Sequence, residues 1–195
     1  MSKKICIIDY GAGNLFSVQN ALNKIGTNIV VSNDHKEIIK SDKIIFPGVG
    51  HAKTAMENLK KYKLDKLIPQ LKQPVLGICL GMQLLCKNSE EGNTPGLNIF
   101  PDPVVQFNNK LKIPHMGWNN IEISEELIWA NIPNNTFMYF VHSYYVPLSQ
   151  YSIASCDYGK PFSAAIRKNN FIGIQFHPEK SGEIGLQVLK NFINH

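Results

Sequence analysis

Only one arginine, Arg167, is found among the 20 lysine and arginine residues of the chain. A planar guanidinium fork is the group that grips phosphates in pairs of hydrogen bonds, and no block of lysines replaces it. The formal charge of +5 is spread along the sequence, so nucleic-acid binding has little support. That basic surface suits an acidic protein partner or plain solvation equally well. Cysteine is sparse too. Cys6, Cys79, Cys86 and Cys156 form no CxxC pair, and neither a disulfide framework nor a zinc site is expected. His35, His51, His115 and His195 share no metal-ligand spacing and read as surface or structural groups. Long apolar runs are missing: 43–47, 74–80 and 136–141 are the longest, far short of the ~20 residues a membrane-spanning helix needs. At the N-terminus, Asp9 and Gly11 interrupt MSKKICIIDYGAGN before a signal-peptide core can form. The segment reads as the first buried strand of a cytoplasmic protein. With no repeat, linker or low-complexity tract, one domain over residues 1–195 is expected.

What is present is an alternation. Short β-branched runs at 5–9, 29–31, 43–46 and 75–78 are separated by helix-compatible segments near 14–25, 51–71 and 81–88. This pattern predicts an α/β fold with a central, mostly parallel sheet flanked by helices. Asp9 runs into GAGN, Phe46 into PGVG and Ile78 into CLG, and such turns gather at the carboxyl rim of the sheet, where open α/β folds bind ligands. After Cys86 the character changes. Residues 92–103 read as a loop, and 107–123, 137–146, 152–157, 163–167 and 171–176 as an additional antiparallel strand region. An amphipathic helix over 182–193 closes the chain.

Three segments carry chemistry. In PVLGICLGMQLL, residues 74–85, an apolar strand enters a GxCxG turn and then a helix, the pattern of a nucleophile elbow. A helix N-terminus beside Cys79 favours thiolate, and the Leu80 N–H would face a developing oxyanion. In GIQFHPEKSG, residues 173–182, Pro178 makes a rigid corner between His177 and Glu179. A base and the group that orients it need such a fixed relation. In FPGVGHA, residues 46–52, Gly48 and Val49 are candidates for a second oxyanion donor. FVHSYYV, residues 140–146, sets His142, Ser143 and Tyr144 at a polar break in a strand, which suits amide contacts or strand packing. Taken singly, each segment also suits a bland role: a buried thiol, a structural histidine, a Pro-Gly turn. Together they hold what cysteine acyl transfer requires.

In this order, the elbow cysteine and the HPE motif resemble the triad-type, class I glutamine amidotransferases. DYGAGN at 9–14, PGVG at 47–50, GICLGMQLL at 77–85, HMGWN at 115–119, FVHSYY at 140–145 and GIQFHPEKSG at 173–182 narrow the resemblance to the glutaminase subunits of imidazole glycerol phosphate synthases. The resemblance implies glutamine as substrate, no cofactor, and a thioester at Cys79 with His177 as base and Glu179 orienting it. It further implies glutamine-pocket roles for Gly50, Gln83, Ser143 and Tyr144, and places Asn14 and Lys180 toward a (β/α)₈-barrel cyclase partner that receives the ammonia and switches the glutaminase on. Rival readings are an amidotransferase subunit of an anthranilate- or aminodeoxychorismate-type synthase, a free-standing cysteine hydrolase, and a non-catalytic binding module of the same fold.

Overall fold

The computed structural model describes residues 3–11, 14–108 and 111–195. Met1, Ser2, Ala12 and Gly13 of DYGAGN, and Asn109 and Lys110 in the stretch expected to be strand, lie outside the described residues. The first half alternates strand and helix: β1 (Lys4–Ile8), α1 (Leu15–Lys24), β2 (Asn28–Ser32), α2 (His35–Lys40), β3 (Lys43–Phe46), α3 (Ala52–Lys61), α4 (Leu64–Leu67), β4 (Val75–Ile78) and α5 (Leu80–Leu85). Strands then dominate: β5 (Cys86–Ser89), β6 (Thr94–Pro95), β7 (Phe100–Gln106), β8 (His115–Ile123), β9 (Thr136–His142) and β10 (Tyr144–Tyr145). The chain finishes with β11 (Ser152–Asp157), β12 (Pro161–Lys168), β13 (Phe171–Ile174) and α6 (Gly182–Asn194).

Nine strands form one sheet in the order β2-β1-β3-β4-β13-β12-β11-β8-β9. From β2 to β13 the neighbours are parallel, and from β13 to β9 they are antiparallel. The central strands are buried on both faces, and the two-residue period of a strand divides their side chains between two cores. Ile5, Ile7, Ile45 and Leu76 pack with Val18 and Leu22 of α1 and Val188 and Leu189 of α6. Cys6, Ile8, Ile44 and Val75 pack on the other side with Leu59 of α3 and Leu84 and Leu85 of α5. β1, β3, β4 and β13 therefore deliver the segments after them to one rim, as the turn chemistry predicts.

Several elements differ from the expectation. The helix expected over 51–71 breaks at Lys63, whose φ of +57° is left-handed, and continues as α4 and a 3₁₀ turn, Ile68–Gln70. α2 comes from HKEIIK, capped by the Asp34 carboxylate, which accepts from the N–H groups of Lys36 and Glu37. α5 stops at Leu85, so 86–89 is strand rather than helix. Residues 94–95 and 100–106, inside or overlapping the expected loop, are strands of a second, four-stranded sheet ordered β10-β7-β5-β6.

Candidate active site

Cys79 occupies the one-residue turn between β4 and α5 with φ +53° and ψ −112°. A side chain at such a backbone angle costs about 1–3 kcal/mol and persists only where the surroundings enforce it. The enforcement comes from packing. A Cβ on Gly81 would stand 1.9 Å from the Phe46 carbonyl oxygen, and one on Gly48 would stand 2.5 Å from the Gly81 nitrogen. α5 thus starts in backbone contact with the segment leaving β3, which only glycine allows, and the thiol is lifted above the sheet.

His177 and Glu179 follow β13. The His177 Nδ1–H donates to Glu179 Oε1 over 2.8 Å, and both side chains are almost wholly buried. The Ser181 hydroxyl donates to the His177 carbonyl, and the His177 N–H donates to the Tyr139 carbonyl of β9, fixing the corner at both ends. His177 Nε2 is buried without a nitrogen or oxygen partner among the described residues, and Cys79 is the group that interacts with the ring from that side. Burial pulls the imidazolium down most strongly, but Cys79 and Glu179 together outweigh it and raise His177 to about 10. At neutral pH His177 therefore holds its proton.

A cavity of about 310 Å³ opens over the sulfur. Val49, Gly50, Leu80, Gln83, Ser143 and Tyr144, all singled out from the sequence, line it beside Cys79 and His177. Gly48 does not; it lies behind, lining a narrow gap with Asn14, His177 and Glu179. The Tyr10 hydroxyl donates to the Pro47 carbonyl over 2.8 Å and pins the turn from below. Asn14 caps α1 by accepting from the Ser17 N–H, and Lys180 sits over the Tyr139 ring at 5.8 Å.

Glu91 and Gln175 escaped the sequence reading, and His142 was left between amide contacts and strand packing. Glu91 lines the cavity and accepts from the Ala52 N–H at the start of α3 over 2.7 Å. His142 forms a buried imidazole pair, His115 Nδ1 to His142 Nε2 at 2.9 Å, and its Nδ1–H donates to the Tyr144 carbonyl. Burial pulls His115 down to about 4 and His142 down to about 3, so both are neutral. Gln175, fully buried, donates to the Cys79 sulfur at 3.6 Å. Its place in GIQFHPE, two residues before His177, was the one available signal.

Residues 6–195 match the family model described as glutamine amidotransferase class-I. The imidazole glycerol phosphate synthase subunit HisH of Bacteroides fragilis (strain YCH46) is 50% identical over 194 residues, covering 97% of this chain and 98% of its own. The subunit of the same name from Methanosarcina barkeri is 47% identical over 199 residues, covering 98% of each chain. Among solved structures, PurLQS from Thermotoga maritima superposes with a TM-score of 0.73 at 16% identity, over 100% of this chain and 99% of that one.

Proposed function

The chain belongs to the class I glutamine amidotransferase family, and from that premise we propose that it is the glutaminase subunit of imidazole glycerol phosphate synthase, serving histidine biosynthesis in the cytoplasm. The observation that carries the reading is a thiol on a strained elbow, facing a buried histidine that a carboxylate orients, under a cavity of about 310 Å³.

In this reading the Cys79 thiolate attacks the carboxamide carbon of glutamine. The oxyanion that forms is held by the Leu80 N–H and by the Gly48–Val49 peptide. His177 gives its proton to the departing ammonia, leaving a γ-glutamyl thioester. Water, deprotonated by His177, then releases glutamate and restores the thiolate. Glu179 keeps the imidazole in the tautomer that places Nε2 toward the sulfur. Gly50, Gln83, Ser143 and Tyr144 form the walls of the glutamine pocket, and Glu91, the one carboxylate among its described lining residues, complements the α-ammonium.

A cyclase partner, a (β/α)₈ barrel forming a heterodimer with this chain, fits an exposed apolar face at the end of the large sheet. Met116, Trp118 and Phe137 are 62%, 56% and 58% exposed there. Register across β8 and β9 sets Met116 against Val141 and Trp118 against Tyr139, and Val141 also lines the catalytic cavity. The face and the cavity are contiguous, which suits delivery of uncharged ammonia along an apolar wall. Lys180, stacked over Tyr139, borders this face.

Glutamate release from glutamine tests the chemistry. Cys79→Ala is expected to lose it while circular dichroism and partner binding stay unchanged; appreciable residual turnover removes Cys79 from its role.

A further inference from the structure

Two buried amides stand beside the nucleophile, and their orientations follow from a backbone group that cannot be flipped. The Tyr144 carbonyl only accepts, and it takes the Gln83 Nε2–H at 2.9 Å. That fixes which end of the Gln83 amide is nitrogen. The same Nε2 donates its other hydrogen to Gln175 Oε1 at 2.9 Å. Gln175 must then present its own Nε2 to the Cys79 sulfur, at 3.6 Å. Its backbone N–H is meanwhile held by the Ala164 carbonyl. Gln175 is fully buried and Gln83 is 5% exposed, so water does not compete for these bonds. A sulfur is a weak acceptor as a thiol and a better one as a thiolate, and a donor aimed at it favours the charged form.

We propose that Gln175 is a further catalytic residue, donating its side-chain N–H to the Cys79 thiolate, with Gln83 as the positioning residue that aims it. The inference rests on Cys79 being the nucleophile. When water opens the thioester, the C–S bond breaks, its electron pair returns to sulfur, and the Gln175 N–H is in place to receive that charge. Gln83 thereby serves two sites at once. It lines the cavity and holds the Tyr144 carbonyl, and through Gln175 it reaches the sulfur.

Alkylation by iodoacetamide reads the sulfur directly, because thiolate displaces iodide whether or not glutamine is the substrate. The groups facing this sulfur are His177 with Glu179 behind it, Tyr10, and the cavity residues Glu91, His142 and Tyr144. Burial pushes Cys6 up to about 11, Cys156 up to about 12 and Cys86 higher still, so labelling below pH 9, located by peptide mass, reports Cys79. In the full-length chain Gln175→Met, of similar volume, is expected to move the alkylation midpoint upward by about one pH unit. Its rate on the alkaline plateau should exceed wild type by about threefold, since a more basic thiolate is more nucleophilic. In the glutaminase assay kcat should fall about threefold or more at neutral pH with KM changed less than twofold. Gln83→Met, which releases Gln175 Oε1, should move the midpoint in the same direction by less, and it decides the matter if Gln175→Met does not fold. A uniform fall in alkylation at every pH with an unmoved midpoint would make Gln175 a packing residue and overturn the proposal. A shifted midpoint in a chain that does not hydrolyse glutamine even with the cyclase subunit and its nucleotide ligand bound would instead keep this inference and sink the glutaminase reading.

Discussion

Cys79 concentrates the cost of this site in one residue. Its left-handed backbone is paid for by the sheet around it, and the return is a thiol raised within reach of His177. Glu179 contributes differently, through one hydrogen bond of 2.8 Å to His177 Nδ1. Glu179→Gln keeps an acceptor there but removes the charge that helps hold the proton on the ring. The expected loss in kcat is about one to two orders of magnitude smaller than that from Cys79→Ala. Equal losses, measured side by side, would leave the division between nucleophile and orienting group without support. The candidate triad was legible in the sequence because each of its parts is local: a GxCxG turn and an HPE corner. Gln175 and Glu91 were not, because what they touch is set by strand pairing across long separations, as between Gln175 and Cys79, 96 positions apart.

Among the elements, β1, β3 and β4 were readable from composition alone, since strands buried on both faces need unbroken apolar runs. The small sheet was not. Pro101, Asp102 and Pro103 within β7 read as loop, yet they are tolerated in a strand whose pairing with β5 slips in register at that point. α2 escaped because six residues with one buried side chain, Ile38, carry too little periodicity to register. The junction of β3 and α5 is the element-level feature most exposed to test. Gly81→Ala would drive a Cβ to 1.9 Å from the Phe46 carbonyl oxygen, and backbone must move to admit it. Urea unfolding should register a loss of about 3 kcal/mol or more. Stability equal to wild type would contradict the close approach that lifts the elbow.

For the whole molecule, the rim and the end of the sheet are one working surface. The cavity opens at the rim, and the face of β8 and β9 borders it through Val141. Trp118 is half exposed and edge-on to Tyr139 at 6.1 Å, and the proposed docking of the cyclase makes it an anchor. Trp118→Asp should weaken that complex by about thirtyfold or more, the effect of a central aromatic contact worth about 2 kcal/mol. Stability of the isolated chain should move by only about 0.5 kcal/mol, and unchanged affinity by calorimetry would send the partner to another surface. The central claim, a glutaminase coupled to a partner, is met most directly by glutamate release from the purified chain, alone and then with the cyclase subunit and its nucleotide ligand. The account predicts strong stimulation that disappears in Cys79→Ala. No stimulation with a partner verified as bound would contradict it.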